Sequence, residues 1–168
     1  MIKKMNGLVF FNVEGVLLNK KNEIEFSMIT AMKNLRWNGY LPIIVTDKCF
    51  DNLQVIVRRL GINSIISDKE SRILLNGAEL KDIENTVEDD PETLKERRLR
   101  KVVQEFADDK LKLYAFGNTE ADLALFKICT TRVAMGNACS KIKEQSDYIT
   151  KSNSEFGVVE GLRIFHLI

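Results

Sequence analysis

The chain has 168 residues, of which 45% are hydrophobic and 29% charged, with a formal net charge of +1 at pH 7. That length supports one domain, residues 1 to 168, with a substantial core, and the near-neutral balance speaks against nucleic acid or an anionic membrane as a partner. Cys49, Cys129 and Cys139 are too scattered for a metal pattern or a disulfide framework, and fit a reducing compartment, most simply the cytoplasm. No apolar run reaches the length of a membrane span. Met1 to Asn6 lead into too short an apolar stretch for a secretory signal.

Leu8 to Asn12 is an apolar run that ends at polar residues before Gly15, which predicts a buried parallel strand and a loop. Ser27 is the expected cap of a helix carrying Ile29, Met32, Leu35 and Trp37, with Gly39 closing it and Trp37 in the core. Leu41 to Val45 reads as a second buried strand ending at Thr46. Phe50, Leu53, Val57 and Leu60 form another helical stripe before Gly61. Ile65-Ile66 begins a short third strand. Arg72 to Leu80 reads as a strand or a hairpin turning at Asn76-Gly77.

Ile83 to Pro91 is acidic and turn-rich, a surface loop, and Pro91 suits a helix start. Leu94, Leu99, Val102, Val103 and Phe106 then give an amphipathic helix, whose basic run Lys95 to Lys101 reads as a solvated face. Leu111 to Phe116 is a strand ending at Gly117, Leu123 to Ile128 a helix, and Arg132 to Met135 a strand. Ile142 lies on a helix, Tyr148-Ile149 on a short strand, and Val158 to Phe165 on a last helix. His166, the sole histidine, is expected at the surface or in packing.

Strands alternating with helices imply a doubly wound three-layer α/β/α architecture around a mainly parallel sheet. Ligands in such sheets sit beyond the carboxyl ends of the strands. Asn12, Glu14, Thr46, Asn118 and Asp122 all fall just after predicted strands, so five polar residues converge on one rim.

These residues, in this order, resemble the haloacid dehalogenase-like phosphatases, in particular the Cof-type subgroup. The likeness spans nearly the whole chain. Asn12-Val-Glu-Gly-Val-Leu-Leu18 stands where such proteins carry Asp-x-Asp-Gly-Thr-Leu-Leu. Thr46 stands for the second motif, Asn76-Gly-Ala78 for a recurrent Asn-Gly-Ala, and Lys95 for the third motif. Gly117-Asn-Thr-Glu-Ala-Asp122 stands for Gly-Asp-x-x-Asn-Asp, and Val133 to Ala138 with Ser146 to Thr150 match the usual ending. The resemblance implies a Rossmann-like core, a magnesium ion held at positions 12, 118 and 122, and phosphoryl oxygens gripped by Thr46 and Lys95.

The departures fall where the chemistry should be. The resemblance assigns nucleophilic attack to position 12, where Asn12 has an uncharged amide in place of a carboxylate. The general acid and base becomes Glu14, whose extra methylene changes its reach. Asn118 replaces a metal-binding acid, and Asp122 is retained. Two unit charges ~4 Å apart interact by roughly 4 kcal/mol at an effective dielectric of about 20, so losing two acids weakens a magnesium site severely. Glu120 is the nearest replacement ligand in sequence. Asp47 and Lys48, in place of Gly-Arg, can pair locally.

Cof-type relatives also carry a cap domain between Asn-Gly-Ala and the third-motif lysine. Glu79 to Thr93 is too short for one, so the expected fold is capless. Capless relatives often use a neighbouring subunit as a lid, so the resemblance points to a homo-oligomer. Two functional readings follow. One is a phosphatase fold with little or no hydrolysis and a binding or assembly role, retaining a small phosphorylated ligand or anion at Thr46 and Lys95. The alternative is an active magnesium-dependent phosphatase of a small phosphorylated metabolite.

Overall fold

The computed structural model describes residues 5–81 and 93–168. The expected loop from Ile83 to Pro91, and Pro91 as a helix start, lie outside the described residues.

An eight-stranded sheet forms the middle layer, in the order β5-β4-β3-β2-β1-β6-β7-β8. The strands are β1 (Gly7–Phe11), β2 (Tyr40–Thr46), β3 (Ile65–Ser67), β4 (Arg72–Leu75), β5 (Ala78–Leu80), β6 (Lys112–Gly117), β7 (Thr131–Ala134) and β8 (Tyr148–Ile149). β1 is buried along its whole length because it sits mid-sheet with helices over both faces, and an unbroken Leu-Val-Phe-Phe run suits only such a place. It pairs in parallel with β2 and with β6. Phe11 and Phe116 stack with centroids 5.1 Å apart at the ends of β1 and β6. Chain order reverses between β2, β1 and β6, the position where doubly wound sheets open a crevice beyond their strand ends.

The helices are α1 (Phe26–Trp37), α2 (Gln54–Leu60), α3 (Leu94–Gln104), α4 (Leu123–Ile128), α5 (Ser140–Glu144) and α6 (Gly157–Ile164). α1 packs beside α2 and α6, and α3 beside α4. The three-layer α/β/α architecture and mainly parallel sheet expected from the sequence are what the chain adopts. β4 and β5 are the antiparallel exception, a hairpin on one edge. Its turn places Asn76 and Gly77 at φ 51° and 81°, the left-handed pair that a tight hairpin demands.

Three local expectations need correction. Ser27 is the second residue of α1, not its cap. The cap position is Glu25, and the Ser27 hydroxyl has no hydrogen-bond partner. Trp37 is not core. The buried stripe of α1 is Met28, Ala31, Met32 and Leu35, and two residues beyond Leu35 the helix has turned through just over a half-circle, leaving Trp37 78% exposed. The basic run at α3 is not simply a solvated face, because Glu96, Arg98 and Leu99 are buried within it. The Asn76-Gly77 turn forms as expected, and it lies away from the rim. Gly77 donates its N–H to Asn63 O at 2.8 Å and Asn76 donates to Ser64 Oγ at 3.0 Å, both just before β3 starts.

Cys129 is buried, and burial pushes its thiol well above the ordinary range, whereas Cys139 is exposed. A thiol-specific disulfide reagent at neutral pH will therefore modify Cys139 in the native protein and Cys129 only after unfolding. Rapid native labelling of Cys129, mapped by mass spectrometry, would contradict this packing.

Candidate active site

A cleft of about 790 Å³ opens beyond the carboxyl ends of β1, β2, β3 and β6. All six residues singled out from the sequence line it: Asn12, Glu14, Thr46, Lys95, Asn118 and Asp122. Asp47, Lys48 and Asp68 line it as well. The lining holds six acids and three lysines, so the cleft is not a cationic basin, and any affinity for an anion must come from local contacts.

Asn12 follows β1 directly. Its Oδ1 accepts the N–H of Val13 at 2.7 Å, and its Nδ2 donates to Asn118 Oδ1 and to Asp122 Oδ2, each at 3.3 Å. These bonds fix which way the amide points. Reversing it would set an NH₂ against an N–H and an oxygen against a carboxylate. Beyond Asn12 the chain makes one irregular turn over Val13–Leu17, broken at Gly15 with φ 71°. A Cβ at Gly15 would collide with the Asn118 amide, so both the backbone angle and the close approach call for glycine.

Asp122 is 1% exposed and ends a 3₁₀ turn, Glu120–Asp122, after β6. Its Oδ2 accepts the N–H of Asn118 at 2.8 Å and of Thr119 at 3.1 Å, as well as the Asn12 amide. A buried carboxylate held by three donors is well satisfied.

Thr46 ends β2. Its Oγ1 accepts the Lys48 N–H at 3.1 Å and keeps a proton to donate. Glu14 is 64% exposed and pairs with Lys48 Nζ at 2.5 Å, so Lys48 pairs across the cleft and not with Asp47. Lys95, in the first turn of α3, is 20% exposed. It donates to Ala121 O at 3.0 Å and lies 3.8 Å from Asp68 Oδ2. Thr93 caps this helix by accepting the Glu96 N–H at 3.2 Å, which sets where the helix places Lys95. Glu120 is turned to Lys141 at 2.9 Å, away from a replacement-ligand role.

Asp68 escaped the sequence reading. It follows β3 as Thr46 follows β2, its N–H donates to Thr46 O at 3.0 Å, and its Oδ1 lies 3.2 Å from Arg98 NH1. Arg98, at 2% exposure, is the largest fully buried side chain described.

Magnesium calls for several hard oxygen donors around one point. The residues present do not supply them. The atom that Asn12 directs at Asp122 is a nitrogen bearing hydrogens, Glu14 is turned to Lys48, and Asp122 Oδ2 already accepts three donors. Among the described residues no group of three His, Cys, Asp or Glu could hold a metal ion.

The family model described as haloacid dehalogenase-like hydrolase matches residues 90–162, which include Lys95, Asn118 and Asp122. An uncharacterized protein in the pdhA 5′ region of Geobacillus stearothermophilus is 37% identical over 70 residues, 42% of this chain and 74% of that protein. The chain belongs to the haloacid dehalogenase-like hydrolase family. Within this family it is also similar to the 5-amino-6-(5-phospho-D-ribitylamino)uracil phosphatase YwtE of Bacillus subtilis. They are 39% identical over 64 residues, 38% of this chain but 22% of YwtE. The shared segment is thus under a quarter of that phosphatase's length. Among solved structures, a hypothetical protein from Geobacillus kaustophilus superposes with a TM-score of 0.83 at 18% identity, covering 97% of this chain and 100% of that one. The 3-deoxy-D-manno-octulosonate 8-phosphate phosphatase from Moraxella catarrhalis superposes with a TM-score of 0.67 at 17% identity, covering 95% and 84%. At such identities the structures speak for the shared fold.

Proposed function

We propose that this protein keeps the phosphatase fold of its family but has little or no hydrolytic activity, and that its cleft serves to bind a small phosphorylated ligand or anion without metal. One observation carries the reading. The Asn12 amide donates to Asn118 and Asp122, so hydrogen bonds tie together the three positions at which the family resemblance implies a magnesium ion. The same amide is the group that would have to attack phosphorus, and it lacks the negative charge for that step: its oxygen is the weakly nucleophilic oxygen of a neutral amide, already accepting the Val13 N–H, and its nitrogen is a donor. Thr46 and Lys95 supply the remaining donors toward an oxyanion.

The test is hydrolysis of an aryl phosphate with magnesium present. The unaltered protein is expected at the buffer background, and Asn12→Asp combined with Asn118→Asp is expected to gain measurable metal-dependent turnover. Metal-dependent turnover by the unaltered protein that Lys95→Ala abolishes would instead establish the second reading, an active phosphatase. What favours that reading is the gathering of Glu14, Thr46, Lys95 and Asp122 at one cleft, together with relatives named as phosphatases.

A further inference from the structure

Asp68 stands where its charge competes with any ligand of the cleft. Its two oxygens face two cations of α3: Oδ1 is 3.2 Å from Arg98 NH1, and Oδ2 is 3.8 Å from Lys95 Nζ. Of these two only Lys95 lines the cleft, and it also donates to a backbone carbonyl, Ala121 O. The carboxylate therefore sits beside the Lys95 ammonium on the lining of the same cleft. It is held there firmly. Its own N–H bonds to Thr46 O, so Asp68 and Thr46 are locked side by side at the ends of β3 and β2. Arg98 is almost wholly buried and cannot swing out to release it. Asp68 itself is 26% exposed, so it also faces the ligand's space.

We infer that Asp68 is an affinity-setting residue of this cleft: an internal carboxylate that neutralises Lys95 and keeps metal-free binding of phosphate weak. The inference rests on the proposed binding of an anion at Thr46 and Lys95, and it names a residue that limits that binding. Its physical basis is that both partners are mostly buried, where a carboxylate under 4 Å from an ammonium cancels much of that cation's pull on a third charge. An anion that binds must either displace the contact or share the lysine with it. The excess of acids along the rest of the lining means that no other cation takes over.

The probe is inorganic phosphate, titrated calorimetrically into the whole chain in chelator-treated buffer. Asp68→Asn keeps an oxygen for Arg98 and removes the charge. It is expected to bind phosphate at least ten-fold more tightly than the unaltered protein, and Asp68→Asn combined with Lys95→Ala is expected to lose that gain. Asp68→Glu, which retains the charge, should not reproduce it. If the unaltered protein binds and Asp68→Asn binds no better, the assignment to Asp68 is overturned while the anion-binding reading survives. If the unaltered protein shows no binding and Asp68→Asn does, the binding reading falls and the role of Asp68 stands. Absence of binding in both overturns both. Should Asp68→Asn fail to fold, the unaltered chain still decides. The carboxyl-carbon resonance of Asp68 must move on saturation with phosphate, and a resonance unmoved under saturation overturns the inference.

Discussion

Asn12→Asp is expected to lower the thermal midpoint by about 4–8 °C in chelator, and magnesium is expected to restore most of the loss. The substitution puts a carboxylate oxygen where an amide nitrogen now sits, 3.3 Å from Asp122 Oδ2. An attractive contact becomes a like-charge contact, and the bond to Asn118 Oδ1 is lost as well. Coulomb repulsion at this range is several kcal/mol at an effective dielectric of about 20, but the pair can relax or take up a shared proton, so a net cost of ~2 kcal/mol is the reasonable scale. For a chain of this size each kcal/mol moves the midpoint by roughly 2–4 °C. The unaltered protein should show no magnesium response in the same melts. A rise of several degrees on adding magnesium to the unaltered chain would mean that the amide gives way to the ion, and the reading of this cleft as metal-free would go with it.

The sequence announced this cleft through position, not through chemistry. Every polar residue just past a buried strand was a candidate, and Asn12, Glu14, Thr46, Asn118 and Asp122 do converge. The rule worked because β1, β2 and β6 end in buried, mostly apolar runs with sharp ends. It stopped short at β3. That strand is only three residues long, and Asp68 runs on into Lys69-Glu70-Ser71 without a marker, so its place at the rim was not visible although the same rule covers it. Asn76-Gly77 was legible for a different reason: an Asn-Gly pair between apolar runs is a turn signal, and it turns the hairpin of β4 and β5. The hairpin carries the triplet to the end of β3 away from the cleft.

Pairing was the other blind spot. Arg98 and Glu96 sit in a run of charges that reads as solvent-facing. Their burial depends on partners 30 and 31 residues away, Asp68 and Lys127, and no local pattern reports such partners. Lys48 likewise looked tied to its neighbour Asp47 and reaches Glu14 instead. The two lysines lining the cleft near Thr46 thus each face an acid contributed by a different strand end. That balance is a property of the fold, and it is why the cleft carries so little free positive charge.

Asp122 separates a structural role from a catalytic one. Asp122→Ala is expected to cost about 3 kcal/mol and lower the thermal midpoint by roughly 6–12 °C, whereas Asp122→Asn is expected to cost only about 1 kcal/mol. Removing the side chain strands the N–H groups of Asn118 and Thr119 and the Asn12 amide, in a place from which the carboxylate itself is nearly excluded from water. Unpaired buried donors are expensive, and losing a charged acceptor adds to the cost. Asparagine is milder because all three donors converge on one oxygen, Oδ2. An amide oxygen in the same position can accept them, giving up only the charge-assisted part of each bond. An acid kept solely to hold a metal behaves differently. In chelator it is an uncompensated charge, and replacing it with alanine is neutral or stabilising. Chemical denaturation in chelator distinguishes the cases: a loss below 1 kcal/mol for Asp122→Ala, or a gain, would show that the hydrogen bonds around Asp122 contribute little and that the acid is a metal ligand after all.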